Sequence, residues 1–310
     1  MDIQFFKRID NSSLDIVGSN ILESVRSLGY NLNEWSIGHV NGNGQTIKKA
    51  TLGMVYGMVN DLTYLNMYPK SVAGLVCEAP LTKFEQLRIE EINPTEIWVP
   101  SKFCLDMFSY SGFKEKLVLV PHGVEKLPVV QNKKRKNKIL MIFNSYKRPN
   151  SHVQRKGIFE VLQAFQRLSG VKLILRTEKQ LYYNKYNLDN VEFIQEKVKD
   201  LSELYEEVDA VLCPSSAEGF GLVGLETLCR GVPLISTKTG NDYLTKETSY
   251  VHVDLPVTKE KVFNSVVEFY SKFDFYRNRA IEQSKDIYEL NSWPNVTQCI
   301  KKRIIDLIGQ

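Results

Sequence analysis

The sequence has no apolar run near the roughly 20 residues needed to span a bilayer, and its amino terminus lacks the basic-then-apolar pattern of a signal peptide. It contains five cysteines, which form no CxxC pair and show no metal-ligand spacing. An odd number of cysteines without a disulfide framework indicates a reducing compartment. These absences argue against a membrane-spanning protein and a secreted disulfide scaffold. We therefore expect a cytoplasmic location.

The chain has 310 residues, of which 43% are apolar and 25% charged, so it suits two globular domains and gives no indication of disorder. Its formal net charge is only +4, but basic residues cluster at Lys133–Lys136 and Lys138. The cluster lacks the interleaved aromatic residues of a single-strand platform, and no helix-turn-helix or finger signature occurs, so we expect no nucleic-acid partner. We interpret residues 132–138 first as a solvated linker. Contact with an anionic membrane surface is the second interpretation.

Strand-like and helix-like segments alternate along the whole chain. The predicted strands include 3–9, 72–77, 95–99 and 116–120 in the first half, and 138–143, 171–175, 191–194 and 208–213 in the second. Such alternation predicts parallel sheets with helices on both faces. The fold class is therefore α/β, with doubly wound parallel sheets.

One stretch, residues 214–233, organises the second half. It directly follows the apolar strand 208–213, and a helix begins in it near Gly221. Gly219 and Gly221 leave backbone N–H groups uncovered where the amino end of that helix concentrates positive potential, which makes a seat for an anion, most often phosphate. Glu218 and Glu226 bracket this seat. Because a carboxylate beside a diphosphate would be repelled, we expect these two side chains to face sugar hydroxyls instead.

Glu218 and Glu226, with seven residues between them, resemble the E-x7-E motif of retaining nucleotide-sugar glycosyltransferases, family four, which have the GT-B fold. The whole run PSSAEGFGLVGLETLCRGVPLIST is similar to that family's signature and is far more specific than a pair of glutamates. The alternative is an ordinary strand, glycine turn and helix with Glu226 as a solvated helix residue, because glycine turns recur widely in doubly wound proteins.

The resemblance implies two Rossmann-like domains that face a cleft. It places an acceptor-side domain at 1–128 and a nucleotide-sugar-binding domain at 129–290, with a terminal helix at 291–310 that packs back on the first domain. Residues 97–101 and 118–124 are similar to strand ends late in the family's N-terminal domain.

The resemblance also implies a role for each residue of the anion seat. Glu226 would accept hydrogen bonds from ribose hydroxyls, and Glu218 would lie near the donor sugar. The backbone N–H groups of four further residues would meet sugar hydroxyls and phosphate: Gly219, Phe220, Gly221 and Leu222. The base would rest against the loop 195–197, which includes Lys197.

Arg155 and Lys156 resemble the family's basic pair that contacts the diphosphate, and we expect them to open the helix predicted at 157–168. Two consecutive cations at a helix amino end oppose the helix dipole, which favours a bound anion over simple solvation. The family's arginine more often lies further upstream. Arg148 and Lys147 are therefore alternatives to Arg155.

Two residues of the first half are candidates for the acceptor side. Glu78 ends a predicted strand at the edge where α/β sheets bind ligands, and His39 precedes an Asn-Gly-Asn-Gly loop. A hydrogen bond within its own loop is the alternative for Glu78. A structural role at a strand end is the alternative for His39.

The predicted function combines these residues. No Asp-x-Asp triplet occurs in the chain, which disfavours the metal-clamping class of glycosyltransferases, and the four histidines show no ligand spacing. We expect a metal-independent and cofactor-independent enzyme that moves a hexose from a UDP or GDP sugar to a hydroxyl acceptor on a glycan, lipid or protein, and the resemblance implies retention of configuration. The alternatives are a GT-B sugar-nucleotide epimerase, or a nucleotide- or carbohydrate-binding protein without turnover.

Overall fold

The computed structural model describes residues 2–8, 13–37, 49–131, 134–143, 153–177, 189–194 and 201–309. The chain divides into two compact units. The first unit consists of Met1–Glu125 together with Asn291–Gln310, and the second of Lys126–Leu290. The last segment therefore belongs to the first unit although it follows the second in the chain.

The first unit contains a six-stranded sheet with the order β2-β1-β3-β4-β5-β6, in which every pair is parallel. Its strands are β1 (Asp2–Arg8), β2 (Asn31–Ile37), β3 (Leu52–Gly57), β4 (Lys70–Leu75), β5 (Glu96–Val99) and β6 (Leu117–Leu119). The two middle strands, β3 and β4, are buried along almost their whole length. Burial on both faces is typical of a parallel sheet that is covered by helices on each side.

Three α-helices of the first unit precede the second unit: α1 (Ser13–Arg26), α2 (Lys83–Ile92) and α3 (Lys102–Tyr110). Local sequence explains where α2 begins and ends. Thr82 and Glu85 form a capping box, in which the Thr82 side chain accepts from the Glu85 N–H at 3.2 Å and the Glu85 carboxylate from the Thr82 N–H at 2.7 Å. Asn93 ends the helix in the left-handed conformation that asparagine tolerates.

The second unit contains its own six-stranded parallel sheet, with the order β12-β11-β10-β7-β8-β9. Its strands are β7 (Lys138–Phe143), β8 (Lys172–Thr177), β9 (Val191–Ile194), β10 (Ala210–Cys213), β11 (Leu234–Ser236) and β12 (Val251–His252). From β7 the chain adds strands to one side of the sheet, then returns and adds β10 to β12 on the other. This is the strand order of a Rossmann domain.

The helices of the second unit are α4 (Ile158–Phe165), α5 (Ser202–Glu206), α6 (Leu222–Cys229), α7 (Lys259–Ser271) and α8 (Phe273–Asn291). A core that includes Phe143, Phe165 and Phe269 covers one part of the sheet. A second cluster, around Tyr205 and Val211, forms a separate core. Two separate cores in one unit fit a sheet that is covered on both faces.

The last helix, α9 (Trp293–Gly309), completes the first unit. Its buried residues include Ile300 and Ile304, which are fully inaccessible to solvent. The Thr297 hydroxyl lies 2.8 Å from the Ser24 hydroxyl of α1. Among the described residues, no helix is long and apolar enough to cross a membrane.

A 3-10 helix, Val59–Met67, connects β3 and β4. The described part of the segment 132–138 lies within the second unit, which corrects the expectation of a linker. The Asp209 carboxylate accepts hydrogen bonds from the backbone N–H groups of Lys136 and Lys138 at 2.8 and 3.1 Å, while Lys134 and Arg135 are exposed.

Candidate functional site

The candidate site lies where the strand order of the second unit reverses, between β7 and β10. In parallel α/β sheets the loops that leave the carboxyl ends of two such strands diverge to opposite faces, and the crevice between them is the usual ligand site. Here β10 ends at Cys213 and leads directly into the Pro214–Gly221 loop. The residues before α4 meet this loop.

Gly157 brings the two loops into contact. It precedes α4 with φ of +69°, a left-handed conformation that favours glycine. A Cβ at this position would lie 2.8 Å from the Pro214 carbonyl oxygen. The contact continues at Ser216, whose N–H donates to the Arg155 carbonyl oxygen at 2.8 Å. The two loops are therefore held together by backbone atoms, and Arg155 and Lys156 lie at their junction.

Both basic side chains point to one carboxylate. Lys156 Nζ forms an ion pair with Glu218 Oε1, and Arg155 Nη1 lies 3.5 Å from Glu218 Oε2. Arg155 Nη1 also donates to the Ala217 carbonyl oxygen at 2.6 Å. Glu218 is 9% exposed. The chain thus surrounds a buried anion with two cations at the carboxyl end of β10.

The pKa of Glu218 reflects two opposing effects. Burial raises it, because a low-dielectric environment disfavours the charged form. The charges of Lys156 and Arg155, with hydrogen bonds from Lys156 and Ser215, outweigh burial and bring the pKa below its usual value. Glu218 is therefore ionised at neutral pH, and its charge depends on these two cations.

The backbone of Glu218 is held from its other side. Gly240 adopts φ of +68°, and a Cβ there would overlap the Glu218 carbonyl group. Gly240 lies in the turn after β11, which also supplies Asn241 and Tyr243. These residues behind the loop leave its backbone little room to move.

The amino end of α6 has no side-chain cap. Gly221 is the N-cap residue and has no side chain to accept from the N–H groups of the first turn. The Leu222 N–H donates to the Phe220 carbonyl oxygen at 2.6 Å. The Tyr243 hydroxyl lies 2.5 Å from the Gly221 carbonyl oxygen and 2.8 Å from Asn241 Oδ1. Phe220 packs against the Tyr243 ring edge-on, with centroids 5.9 Å apart. A buried polar and aromatic network thus fixes the orientation of this helix end.

Glu226 lies on α6 and differs sharply from Glu218. It is half-buried, and burial raises its pKa, with Arg230 the one charge that acts against this. Among the residues that the structure describes, no group hydrogen bonds to the Glu226 carboxylate. Arg230 instead donates to the Ser202 hydroxyl at 2.9 Å and lies over the Tyr205 ring at 4.7 Å. Within the described part of the chain, the Glu226 carboxylate therefore has no hydrogen-bond partner.

The structure brings together most of the residues that the sequence singles out. Arg155, Lys156 and Glu218 are in direct contact. The other predicted donor-side residues follow Glu218 in the same loop and helix: Gly219, Phe220, Gly221, Leu222 and Glu226. Lys197 lies outside the described residues. The binding roles of all these residues stay predictions.

Two details differ from the expectations. Arg155 and Lys156 do not open a helix, because Gly157 separates them from α4 and is itself the N-cap. Glu218 contacts two cations of its own chain, where hydroxyl partners are predicted. The physical reason is that a buried carboxylate needs an opposite charge or donors nearby.

The acceptor-side candidates are less well placed. Glu78 lies just after β4 in the first unit and is half-buried. His39 lies outside the described residues, as do Lys147 and Arg148. Gly240, Asn241 and Tyr243 were not predicted from the sequence. The sequence feature that could have identified them is the Gly-Asn pair, typical of a turn, after the strand that ends near Thr237.

Within the described ranges, no group of three or more histidine, cysteine, aspartate or glutamate side chains could hold a metal ion. The charged groups of the site are instead an anion, two cations and a helix amino end. Such a set can bind a phosphate ester through its cations and sugar hydroxyls through its carboxylates.

Comparison with known proteins agrees with this geometry. Residues 130–243 match the family model described as Glycosyl transferases group 1. The second unit carries a glycosyltransferase group 1 domain. This group 1 domain contains every site residue from Arg155 to Tyr243.

Among the relatives of the group 1 domain is an uncharacterized glycosyltransferase of Methanocaldococcus jannaschii, which is 29% identical over 115 residues. The match spans 36% of this chain and only 29% of the length of that protein.

Solved structures match nearly the whole chain and identify the fold. Sucrose-phosphate synthase from Thermosynechococcus elongatus matches with a TM-score of 0.78 at 14% identity, over 99% of each chain. The Anabaena HepE protein in complex with UDP and glucose matches with a TM-score of 0.77 at 12% identity, over 99% of this chain and 100% of that one. The predicted α/β fold with two Rossmann-like domains, the GT-B fold, is confirmed.

Proposed function

We propose that this protein is a glycosyltransferase that moves a hexose from a nucleoside-diphosphate sugar to a hydroxyl acceptor. The observation that carries the proposal is the convergence of Lys156 and Arg155 on the loop that begins α6, at the switch point of the sheet. Sugar transfer from such a donor needs this type of site, because negative charge grows on the diphosphate as the glycosidic bond breaks.

The diphosphate would bind at the amino end of α6. Lys156 and Arg155 would supply two positive charges. The N–H groups of the first turn of α6, which no N-cap side chain satisfies, would donate hydrogen bonds to the phosphates. Fixed charges and dipoles of this kind stabilise a transition state strongly, because they need no reorganisation during the reaction.

The carboxylates and the glycine loop would bind the sugars. Glu226 has no partner within the described chain and would accept hydrogen bonds from ribose hydroxyls. Glu218 and the N–H groups from Gly219 to Leu222 would meet the donor sugar and phosphate. Lys197 and the loop around it would meet the base.

UDP sugars are the donors to test first. Structures of HepE are in complex with UDP, with UDP and glucose, and with UDP-glucose. We extend this donor class to the present chain as a proposal. The reaction also requires a hydroxyl acceptor, on a glycan, lipid or protein. Of the two predicted acceptor-side residues, Glu78 lies in the described part of the chain.

We also propose that transfer is metal-independent and retains the anomeric configuration. The cations of the chain would stabilise the leaving diphosphate in place of a divalent ion. The acceptor hydroxyl would bond to the anomeric carbon on the face from which the diphosphate leaves, and a leaving phosphate oxygen would accept the hydroxyl proton. The anomeric configuration of the product, measured by NMR, tests retention directly.

The decisive experiment is a panel of UDP, GDP and ADP sugars with calorimetry and product analysis. A glycosyltransferase binds one nucleoside diphosphate and releases it from the sugar donor, slowly to water and faster with an acceptor. An epimerase would convert the donor sugar to its epimer and would form no glycoside with an acceptor. A binding protein would show affinity without turnover. Absence of binding to every member of the panel would refute the proposed function.

A further inference from the structure

We propose that Glu218 is an internal counter-anion for Lys156 and Arg155, and that the donor's diphosphate displaces it from both cations and so releases its carboxylate to the donor sugar. The inference rests on the proposed function and deepens it. It makes the recognition of the sugar conditional on the binding of the diphosphate.

Both cations already have an anion beside them. Lys156 and Arg155 are adjacent in sequence and lie just before α4, whose amino end carries the positive pole of the helix dipole. The Glu218 carboxylate offsets part of their charge, with one cation at each oxygen. A diphosphate carries more charge than a carboxylate and can engage both cations together, so it competes directly for the same positions.

The exchange needs only a side chain to move. The loop backbone is fixed by the hydrogen bond from the Ser216 N–H to the Arg155 carbonyl oxygen and by Gly240 against the Glu218 carbonyl group. Arg155 stays bonded to the Ala217 carbonyl oxygen at 2.6 Å. A glutamate has three side-chain torsions, so its carboxylate can leave the cations while the loop keeps its shape.

The charge of the released carboxylate depends on its new surroundings. Glu218 is buried, and without its cations burial favours the neutral carboxylic acid. Sugar hydroxyls that donate to it would keep it ionised. A nucleoside diphosphate without a sugar would therefore leave Glu218 to take up a proton, whereas the complete donor would not.

The surrounding titratable groups differ in how they act on this effect. Burial raises the pKa of Cys213 to about 12 and that of Tyr243 well above its usual value, so both stay neutral at pH 7. Glu226 is the other carboxyl that acts on these two groups. Hydrogen bonds from ribose would favour its ionised form, so Glu226 would release protons and not take them up.

Titration calorimetry of UDP in two buffers of different ionisation enthalpy tests the proposal, at pH 7 and with the full chain. The parent protein should take up more protons on binding UDP than the Glu218→Gln variant does, because proton release from Glu226 and from the terminal phosphate of UDP is common to both. The Glu218→Gln variant should also bind UDP about tenfold tighter, as expected when one competing charge contact is removed. It should also lose the parent's preference for UDP-glucose over UDP.

The Glu207→Gln variant is the matched control. Glu207 also pairs with lysines, at 3.5 Å from Lys136 and 3.2 Å from Lys138, but it lies near the amino ends of β7 and β10. It should bind UDP as the parent does. Unchanged or weaker UDP binding by Glu218→Gln, or a change in bound protons equal to the parent's, would overturn the exchange while leaving the proposed function standing. If the parent binds no nucleoside diphosphate, both proposals fail.

Discussion

Replacing Glu226 by glutamine should make the protein more stable and less able to bind its donor. In the folded chain the Glu226 carboxylate is half-buried, has no hydrogen-bond partner among the described residues, and has its pKa raised by burial. A carboxyl whose folded-state pKa is raised favours folding while it is neutral, and this contribution is lost as the pH rises through the folded-state pKa. At pH 7, which is above the pKa of a glutamate in the unfolded chain, Glu226 therefore destabilises the fold, and Glu226→Gln removes that cost.

Two measurements on Glu226→Gln check this reasoning. Thermal unfolding should show a higher midpoint than the parent at pH 7, with the difference vanishing below about pH 4, where glutamate is neutral in the unfolded chain as well. Donor binding should change in the opposite direction. The loss of charge-assisted hydrogen bonds to ribose costs about 1.5–3 kcal/mol, so the dissociation constant for UDP should rise about ten- to hundredfold.

Glu282→Gln serves as the control for Glu226→Gln, because Glu282 is an exposed α8 residue paired with Arg279 at 3.0 Å. It should alter neither property. A Glu226→Gln variant that unfolds earlier than the parent at pH 7 would show that the carboxylate has a stabilising partner. A variant that binds UDP as tightly as the parent would exclude a role in ribose binding.

Three further results are expected. Lys156→Ala should slow transfer by about 10²- to 10³-fold, as the loss of one charge-stabilising donor does, and single-turnover kinetics should show the defect in the chemical step; an unchanged rate would remove Lys156 from catalysis. Gly157→Ala should lower the free energy of unfolding by more than Gly170→Ala does. Both glycines have positive φ, but a Cβ added at Gly157 would lie 2.8 Å from the Pro214 carbonyl oxygen, whereas one added at Gly170 would meet nothing within 4 Å. The cost at Gly170 should be about 1 kcal/mol, and equal costs at the two positions would contradict the packing argument. Treatment with EDTA should leave the transfer rate unchanged, whereas activity restored only by a divalent cation would refute metal independence.

Local sequence signals predicted the described strands named in the sequence analysis to within a few residues. The β9 strand was predicted with its observed bounds, because its apolar residues stand between polar turns. The strand-loop-helix arrangement around Gly221 followed from glycines that directly succeed an apolar run. These features depend on neighbours in sequence, which the amino-acid order contains directly.

Non-local contacts were harder to predict. Lys156 and Glu218 are 62 residues apart, and only the folded sheet shows that they pair. The role of Tyr243 behind Gly221 was missed because a tyrosine in a polar turn has no periodic pattern. The 3-10 helix at 59–67 was missed because its residues fit neither helical nor strand spacing well.

The position of α9 determines when the first unit can finish folding on the ribosome. The second unit is one continuous segment, so it can collapse as soon as it has been synthesised, whereas the first unit needs residues 291–310, which are made after the second unit. Until then, the surface of α1 that packs against α9 is exposed to water and to other nascent chains. A premature stop codon before Trp293 would therefore leave a folded second unit joined to an incomplete first unit that is prone to aggregation.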